Sequence, residues 1–185
     1  MGSGAIVPGP WISALEGQQP EIHAEAFVAP TAVVVGDVRI GALANVWYTA
    51  VLRGDDAAIR VGAGTNIQDG AVLHAEPDVP LEVGDNVTVG HRVVLHGASV
   101  GDDVLIGMGA IVMNRVRIGA GSVVGAGALL TQGMVVPPGS LVLGAPAKVV
   151  RPVNAAEQSL IRRGARIYVE LAARHRDAAT REWTT

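Results

Sequence analysis

An aliphatic residue returns every six positions through the middle of this chain. Ile40, Val46 and Leu52 open the series; Val61, Ile67 and Leu73 resume it after a short break, and Val83, Val89 and Leu95 after a longer one. Val100, Ile106, Val112, Ile118, Val124, Leu130 and Val136 then run almost without interruption. Six is neither the α-helical period nor the two-residue period of a half-buried strand. A fixed repeat marks a repeat architecture. Three six-residue units make one triangular coil, with a short strand on each side and the aliphatic residue pointing into a narrow lumen. Gly and Asn belong at the corners, where small size or a positive φ helps. Coils stack at strand spacing, about 4.8 Å. The predicted class is all-β, a parallel β-helix of roughly six or seven coils.

Composition supports a thin lumen. Glycine supplies 24 of the 185 residues, against one Phe, two Tyr and three Trp. A β-sandwich rich in glycine turns is the alternative, but its strands would alternate with period two between variable loops.

The beat stops near Pro152, and "VNAAEQSLIRRGARIYVELAARHRDAA" brings helix formers. Asn154 followed by Glu157 fits an N-terminal cap with a returning acid. Leu160, Ile161, Gly164, Ile167, Tyr168 and Leu171 mark one broad face. Such a helix needs a surface to lie on, the outside of its own β-helix or of a neighbour's. The expected division is an N-terminal extension over 1–21, a β-helix over 22–152, and a helix and tail over 153–185.

The formal net charge is -3 and arginines are spread along the chain, so nucleic-acid binding has little support. There is no cysteine, so a transition-metal site must use His and oxygen ligands. Gly2–Gly9 lacks the basic start and apolar run of a secretory signal, and no stretch of about twenty apolar residues offers a membrane span. A cytoplasmic location is the expectation.

His74 and His96 each directly follow a lumen residue, Leu73 and Leu95, so both should point off the outside of one face. They are 22 residues apart, one coil plus the few residues of a small excursion at "AEPDVP". With that excursion set aside they stack on adjacent coils, a spacing that suits two ligands on one zinc. His91 follows Gly90 at a different phase and cannot easily reach the same point within one chain. A trimer of triangular prisms would bring one subunit's His91 to another's His74 and His96. His23 and His175 lie outside this register.

Polar residues cluster around the same phase. Arg53 follows the lumen residue Leu52, with Asp55 close behind; two apart on a flat face, they are expected to meet across a subunit seam and not within one chain. Gln68 stands six residues before His74, either to hydrogen-bond solvent or substrate oxygen or simply to satisfy a ladder. Asp69 stands one coil from His91 and could orient it.

The segments "VLRGD", "TNIQDGAVLH", "VGDNVTVGHRVVLHG", "LIGMGAIV" and "LVLGAPAKVVR" together resemble the gamma-class carbonic anhydrases, over most of the chain. The resemblance implies a left-handed β-helix with its C-terminal helix packed outside. It also implies a homotrimer holding zinc, or Fe2+ or Co2+, at each subunit interface. His74 and His96 match two ligands from one subunit and His91 the ligand lent by its neighbour. Arg53 and Asp55 match an interface ion pair, Gln68 the residue on metal-bound solvent, and Asn66 and Asp69 its polar surroundings. Tyr168 matches a helix tyrosine near the mouth of the site, and Asp56 an active-site glutamate. One departure is the short loop "HAEPDVP", where the archetype carries a longer acidic loop with a proton-shuttling glutamate; Glu76 is the candidate substitute.

The activity so implied is zinc-dependent, reversible hydration of carbon dioxide, a small-molecule substrate, with metal-bound hydroxide as nucleophile. Gln68 would orient it, and Glu76, Asp56 or a water chain would export the proton. Two alternatives share the scaffold: a metal-dependent thioesterase or other hydrolase, and an inactive trimeric homologue. An acyltransferase on this scaffold would use one histidine as base and no metal.

Overall fold

Each residue of the six-residue beat lines the lumen. In the computed structural model, which describes residues 9–179, the whole series from Ile40 to Val136 is no more than 4% exposed. The coils form a left-handed parallel β-helix. On the first face Val34, Leu52, Leu73, Leu95, Val112 and Leu130 stack as register partners. Ile40, Val61, Val83, Val100, Ile118 and Val136 do so on the second. Val28, Val46, Ile67, Val89, Ile106, Val124 and Val142 do so on the third. A small residue two positions earlier, such as Ala71 before Leu73 or Val93 before Leu95, is also buried and fills the inside of the corner. The apolar contacts therefore form one continuous column, and burial of that column drives folding.

The breaks in the beat are outward excursions. Between Leu52 and Ile59 the register slips opposite Gly36–Val38, and the extra residues bulge out with Asp55 and Asp56. After His74 the chain leaves the wall and returns through a Glu76–Val79 bridge. Between Leu95 and Val100 one residue is missing, and the tight passage is made by Gly97 at φ 51°. A Cβ there would stand 2.6 Å from Val79 Cγ1 and 2.9 Å from Asn114 Oδ1, so the position has no room for a side chain.

Both ends differ from the expected boundaries. Trp11–Ser13 pairs in parallel with Val33–Val35, and Glu21–Ile22 with Arg39–Ile40, so the segment assigned to an N-terminal extension already adds strands to the wall. At the other end Ala147–Pro152 runs antiparallel to Ser140–Gly144, so the last residues assigned to the β-helix form a hairpin instead. Backbone pairing needs no six-residue beat, which is why periodicity missed both.

The helix Ala155–Ala179, α1, starts at the expected cap. Glu157 N–H donates to Asn154 Oδ1 at 2.9 Å, and Asn154 N–H to Glu157 Oε2 at 2.8 Å. Arg151 grips the same carboxylate with two nitrogens at 2.9 and 2.8 Å. Arg151 first, and then the Asn154 N–H, hold the Glu157 carboxyl down to about 2.

The docked face of α1 follows the expected one through Ile161, Gly164, Tyr168 and Leu171 and departs from it at Leu160. Ile161, Ala165 and Ala172 are buried, with Tyr168 and His175 half-buried between and beyond them. Leu160 is 56% exposed and belongs to the solvent side. Small residues at 164, 165 and 172 let the helix lie close on the third face; a Cβ at Gly164 would be 3.3 Å from Thr88 Oγ1. Its far end is pinned to the same chain. His175 Nδ1 meets Tyr48 Oη at 2.9 Å and packs edge-on against Trp47, and Arg176 donates to the Glu25 and Ala26 carbonyls. Among the described residues no helix is long and apolar enough to cross a membrane.

Candidate metal centre

The first face carries a vertical file of chemistry. Arg53, His74 and His96 are successive register partners, each one step past a lumen leucine. The pleat therefore aims all three outward, and the stacking sets the two imidazoles together. Their ring centroids are 4.9 Å apart, and His74 Nδ1 lies 2.9 Å from His96 Nε2. The excursion between them has lengthened the sequence without disturbing the register.

Above His74 stands Asp55, whose Oδ1 is 3.0 Å from His74 Nε2, with Asp56 Oδ2 at 3.9 Å. Arg53 pairs with the other Asp55 oxygen within the same chain. That corrects the expectation that the two would meet only across a seam. Residues two apart in an extended strand share a face, and the arginine is long enough to reach its neighbour. Burial alone would raise the Asp55 carboxyl. The hydrogen bonds from Arg53, its own backbone N–H and His74, with the Arg53 charge, outweigh burial and hold it below the usual carboxylate range.

Below His96 stands Asn114, which sequence phase did not single out. Its Oδ1 lies 2.5 Å from His96 Nδ1, and its Nδ2 donates to Glu76 Oε2 at 2.8 Å. Glu76 Oε1 is itself 4.0 Å from His96 Nδ1, so the short excursion folds its carboxylate back toward the histidine.

The polarity of this file tests whether it suits a cation. A carboxylate only accepts, so Asp55 requires a proton on His74 Nε2 and leaves Nδ1 as a lone pair. Glu76 likewise requires the NH2 of Asn114, which turns the amide oxygen to His96 and places the proton on His96 Nδ1. Two bare nitrogens then face each other at 2.9 Å. With both rings neutral neither can donate to the other, and the contact is satisfied by a cation held between them or by a proton taken up on one of them. Tetrahedral zinc ligands at about 2.0–2.1 Å stand about 3.3 Å from each other, a few tenths beyond this contact. A carboxylate–histidine contact of the Asp55 kind is the usual means of fixing a metal-ligating imidazole.

A second grouping uses the other side of His74. Asp55, Asp56 and His74 each offer a ligand atom within 4.8 Å of one another, and such a group could coordinate a divalent metal. Asp55 is already engaged by Arg53, so we favour the nitrogen pair as the centre.

The remaining candidates lie elsewhere. His91 sits at the corner between the third and first faces, with Nδ1 3.0 Å from Asp69 Oδ2, the one-coil relationship expected of them. Asn66 is fully buried on the third face, against which α1 lies; it donates to Thr88 Oγ1 at 2.9 Å and accepts from Gln68 Nε2 at 3.0 Å. Gln68 is 5% exposed, and with its NH2 so engaged its remaining polar atom is an oxygen. Tyr168 is half-buried against Trp47; burial first, and then the Asp69 charge, raise its hydroxyl above the ordinary value. A groove of about 490 Å³ between α1 and the Leu43–Asn86 corner contains none of these residues. A cleft of about 240 Å³ lined by Gln18, Asp37, Asp55 and Asp56 opens beside the file.

A triangular β-helix of this kind places the chain among the hexapeptide-repeat proteins, and residues 97–132 match the family model described as bacterial transferase hexapeptide (six repeats). The chain is 52% identical over 155 residues to a carbonic anhydrase from Geobacillus kaustophilus, covering 84% of this chain and 85% of that one. It is 42% identical over 164 residues to mitochondrial gamma carbonic anhydrase 2 of Arabidopsis thaliana, covering 85% of this chain and 59% of the plant protein. The crystal structure of a hexapeptide transferase family protein from Anaplasma phagocytophilum superposes with a TM-score of 0.85 at 40% identity, over 88% of this chain and 96% of that one. Within the hexapeptide-repeat class, the chain belongs to the gamma carbonic anhydrase family.

Proposed function

We propose that the protein is a cytoplasmic homotrimer that hydrates carbon dioxide reversibly to bicarbonate, using zinc held by His74 and His96 of one copy and His91 of another. Fe2+ or Co2+ suits the same ligands. The observation that carries the reading is the approach of His74 Nδ1 and His96 Nε2 to 2.9 Å while the other nitrogen of each ring faces an oxygen. The names of the relatives supply the reaction. When bound, the metal supplies the Lewis acidity that makes water a nucleophile near neutral pH.

This chain's own residues would do the rest. Asp55 and Asn114 hold the two imidazoles in the required tautomers. Asp69 does the same for His91 by taking its Nδ1 proton. Gln68 Nε2 donates to Asn66, and its amide oxygen can accept a hydrogen bond from the attacking solvent molecule, which orients it without acting as a base. Asn66 fixes that amide from behind, and Tyr168 borders the Asp69 side. Glu76 and Asp56 are each about half exposed and close to a histidine, so either can pass a proton to bulk solvent.

The likeness to a transferase-family structure supports a second reading, acyl or thioester chemistry on the same scaffold. Stopped-flow hydration of carbon dioxide by zinc-loaded protein separates them. The proposal expects turnover that a chelator removes and zinc restores. Absence of hydration with metal verified at full occupancy, or cleavage of a thioester that chelators leave untouched, would overturn it.

A further inference from the structure

We infer that Asn114 is a positioning residue for His96, and that Glu76 acts on His96 through it. The inference deepens the proposed metal-dependent reading and rests on it for its functional meaning. An asparagine amide beside an imidazole can present either its oxygen or its NH2, and the two choices give opposite tautomers. Here the choice is made from the far side. Glu76 Oε2 is 2.8 Å from Asn114 Nδ2, and a carboxylate cannot donate. Asn114 Oδ1 is thereby committed to His96 Nδ1, and His96 Nε2 is left bare and aimed at His74.

The backbone is shaped to allow this contact. Gly97, directly after His96, leaves the space that Asn114 Oδ1 occupies; a Cβ there would be 2.9 Å from that oxygen. The turn that carries Asn114 is tied to the same residue, since Arg115 N–H donates to the Gly97 carbonyl. Gly97 N–H donates in turn to the His74 carbonyl at 3.0 Å. The element that turns the chain after one histidine is thus hydrogen-bonded to the other and packed against the amide that orients it. The short excursion is what delivers Glu76, so the loop's role at this site includes setting a tautomer as well as offering a carboxylate to solvent.

Four variants of the full-length protein test this: Asn114→Ala, Glu76→Gln, Asn114→Asp, and the double exchange of Glu76→Gln with Asn114→Asp. Zinc affinity is read by chelator competition. The His96 tautomer is read separately by 15N NMR of the metal-free protein above neutral pH. Asn114→Ala should weaken zinc binding on the order of 10–100-fold, the usual cost of losing a partner that orients a ligand. Glu76→Gln should cause much of the same loss although Asn114 is still present, because glutamine can donate and frees the amide to turn over. Asn114→Asp alone sets two carboxylates together and should also bind weakly. The double exchange restores the polarity: the introduced glutamine donates to the introduced aspartate, which accepts from His96. It should recover most of the affinity. A His96 protonated on Nε2 in the wild type would overturn the inference. So would zinc binding unchanged in Asn114→Ala, or a double exchange no better than its worse single. Wild-type protein that binds no zinc yet carries the His96 proton on Nδ1 would support the role of Asn114 and sink the metal-dependent reading instead.

Discussion

His74 Nδ1 and His96 Nε2 face each other across adjacent coils at 2.9 Å, and the other nitrogen of each ring is held from behind by an oxygen, Asp55 Oδ1 for His74 and Asn114 Oδ1 for His96. A site built this way gains stability when a cation enters it, because binding to the folded state alone shifts the folding equilibrium. Added zinc should therefore raise the thermal unfolding midpoint of the metal-free protein, by about 2.7 kcal/mol of stabilisation at a hundredfold excess over the dissociation constant. The same titration on His96→Ala should produce little shift.

Arg53 acts on this site through Asp55. Arg53→Ala removes no lumen side chain, and its own side chain is 48% exposed. Chain stability should change by no more than about 1 kcal/mol. Zinc affinity should fall by more, since Asp55 loses the group that holds it ionised and aimed at His74. The Asp55 carboxyl should move up toward the ordinary range. Its native value is depressed, so the stability it contributes is present above the unfolded-state value and lost as pH falls through the native one. Chelator competition alongside urea unfolding separates the two effects.

The capping box of α1 gives a second, independent acid response. Glu157 titrates at about 2 in the folded protein, below its ordinary 4.5. Stability linked to this group is complete above about pH 4.5 and is lost progressively as pH falls toward 2. Glu157→Gln should be less stable than the wild type at neutral pH, and the difference should shrink over that interval. Circular dichroism of the helix against pH checks it.

The lumen sets the scale of stability. Leu95 is fully buried one residue before His96. Leu95→Ala should cost about 2–5 kcal/mol by transfer and cavity effects. The neighbouring outward Val94→Thr should cost far less. Denaturant midpoints for the two variants give the comparison.

What was legible in the sequence follows from what each interaction depends on. The lumen column depends on side-chain period, so the beat from Ile40 to Val136 marked it residue by residue. The register of His74 and His96 was legible because the excursion adds residues without rotating the wall. Asn114 was missed because the coil after His96 is one residue short. Leu95 pairs with Val112, so the position matching His96 by phase is Met113, and Asn114 reaches the site from the corner beyond. A polar residue in "VMNRV" at the corner nearest the excursion was the available signal. The Arg53–Asp55 contact was misjudged because strand geometry, not coil spacing, decides it. Leu160 lies outside the docked face of α1 because the largest apolar side chains do not all face inward. Close packing on the third face instead selects small ones, Ala165 and Ala172.

A metal centre shared between copies of the chain can be rebuilt by subunit mixing. His91→Ala chains keep His74 and His96, while His96→Ala chains keep His91. Each variant assembled alone should lack a complete site. If the two are denatured together and reassembled, mixed assemblies should regain tightly bound zinc and chelator-sensitive carbon dioxide hydration, at interfaces where each chain supplies what the other lacks. Mixtures that bind no more zinc than the separate variants, from chains shown to have co-assembled, would contradict it.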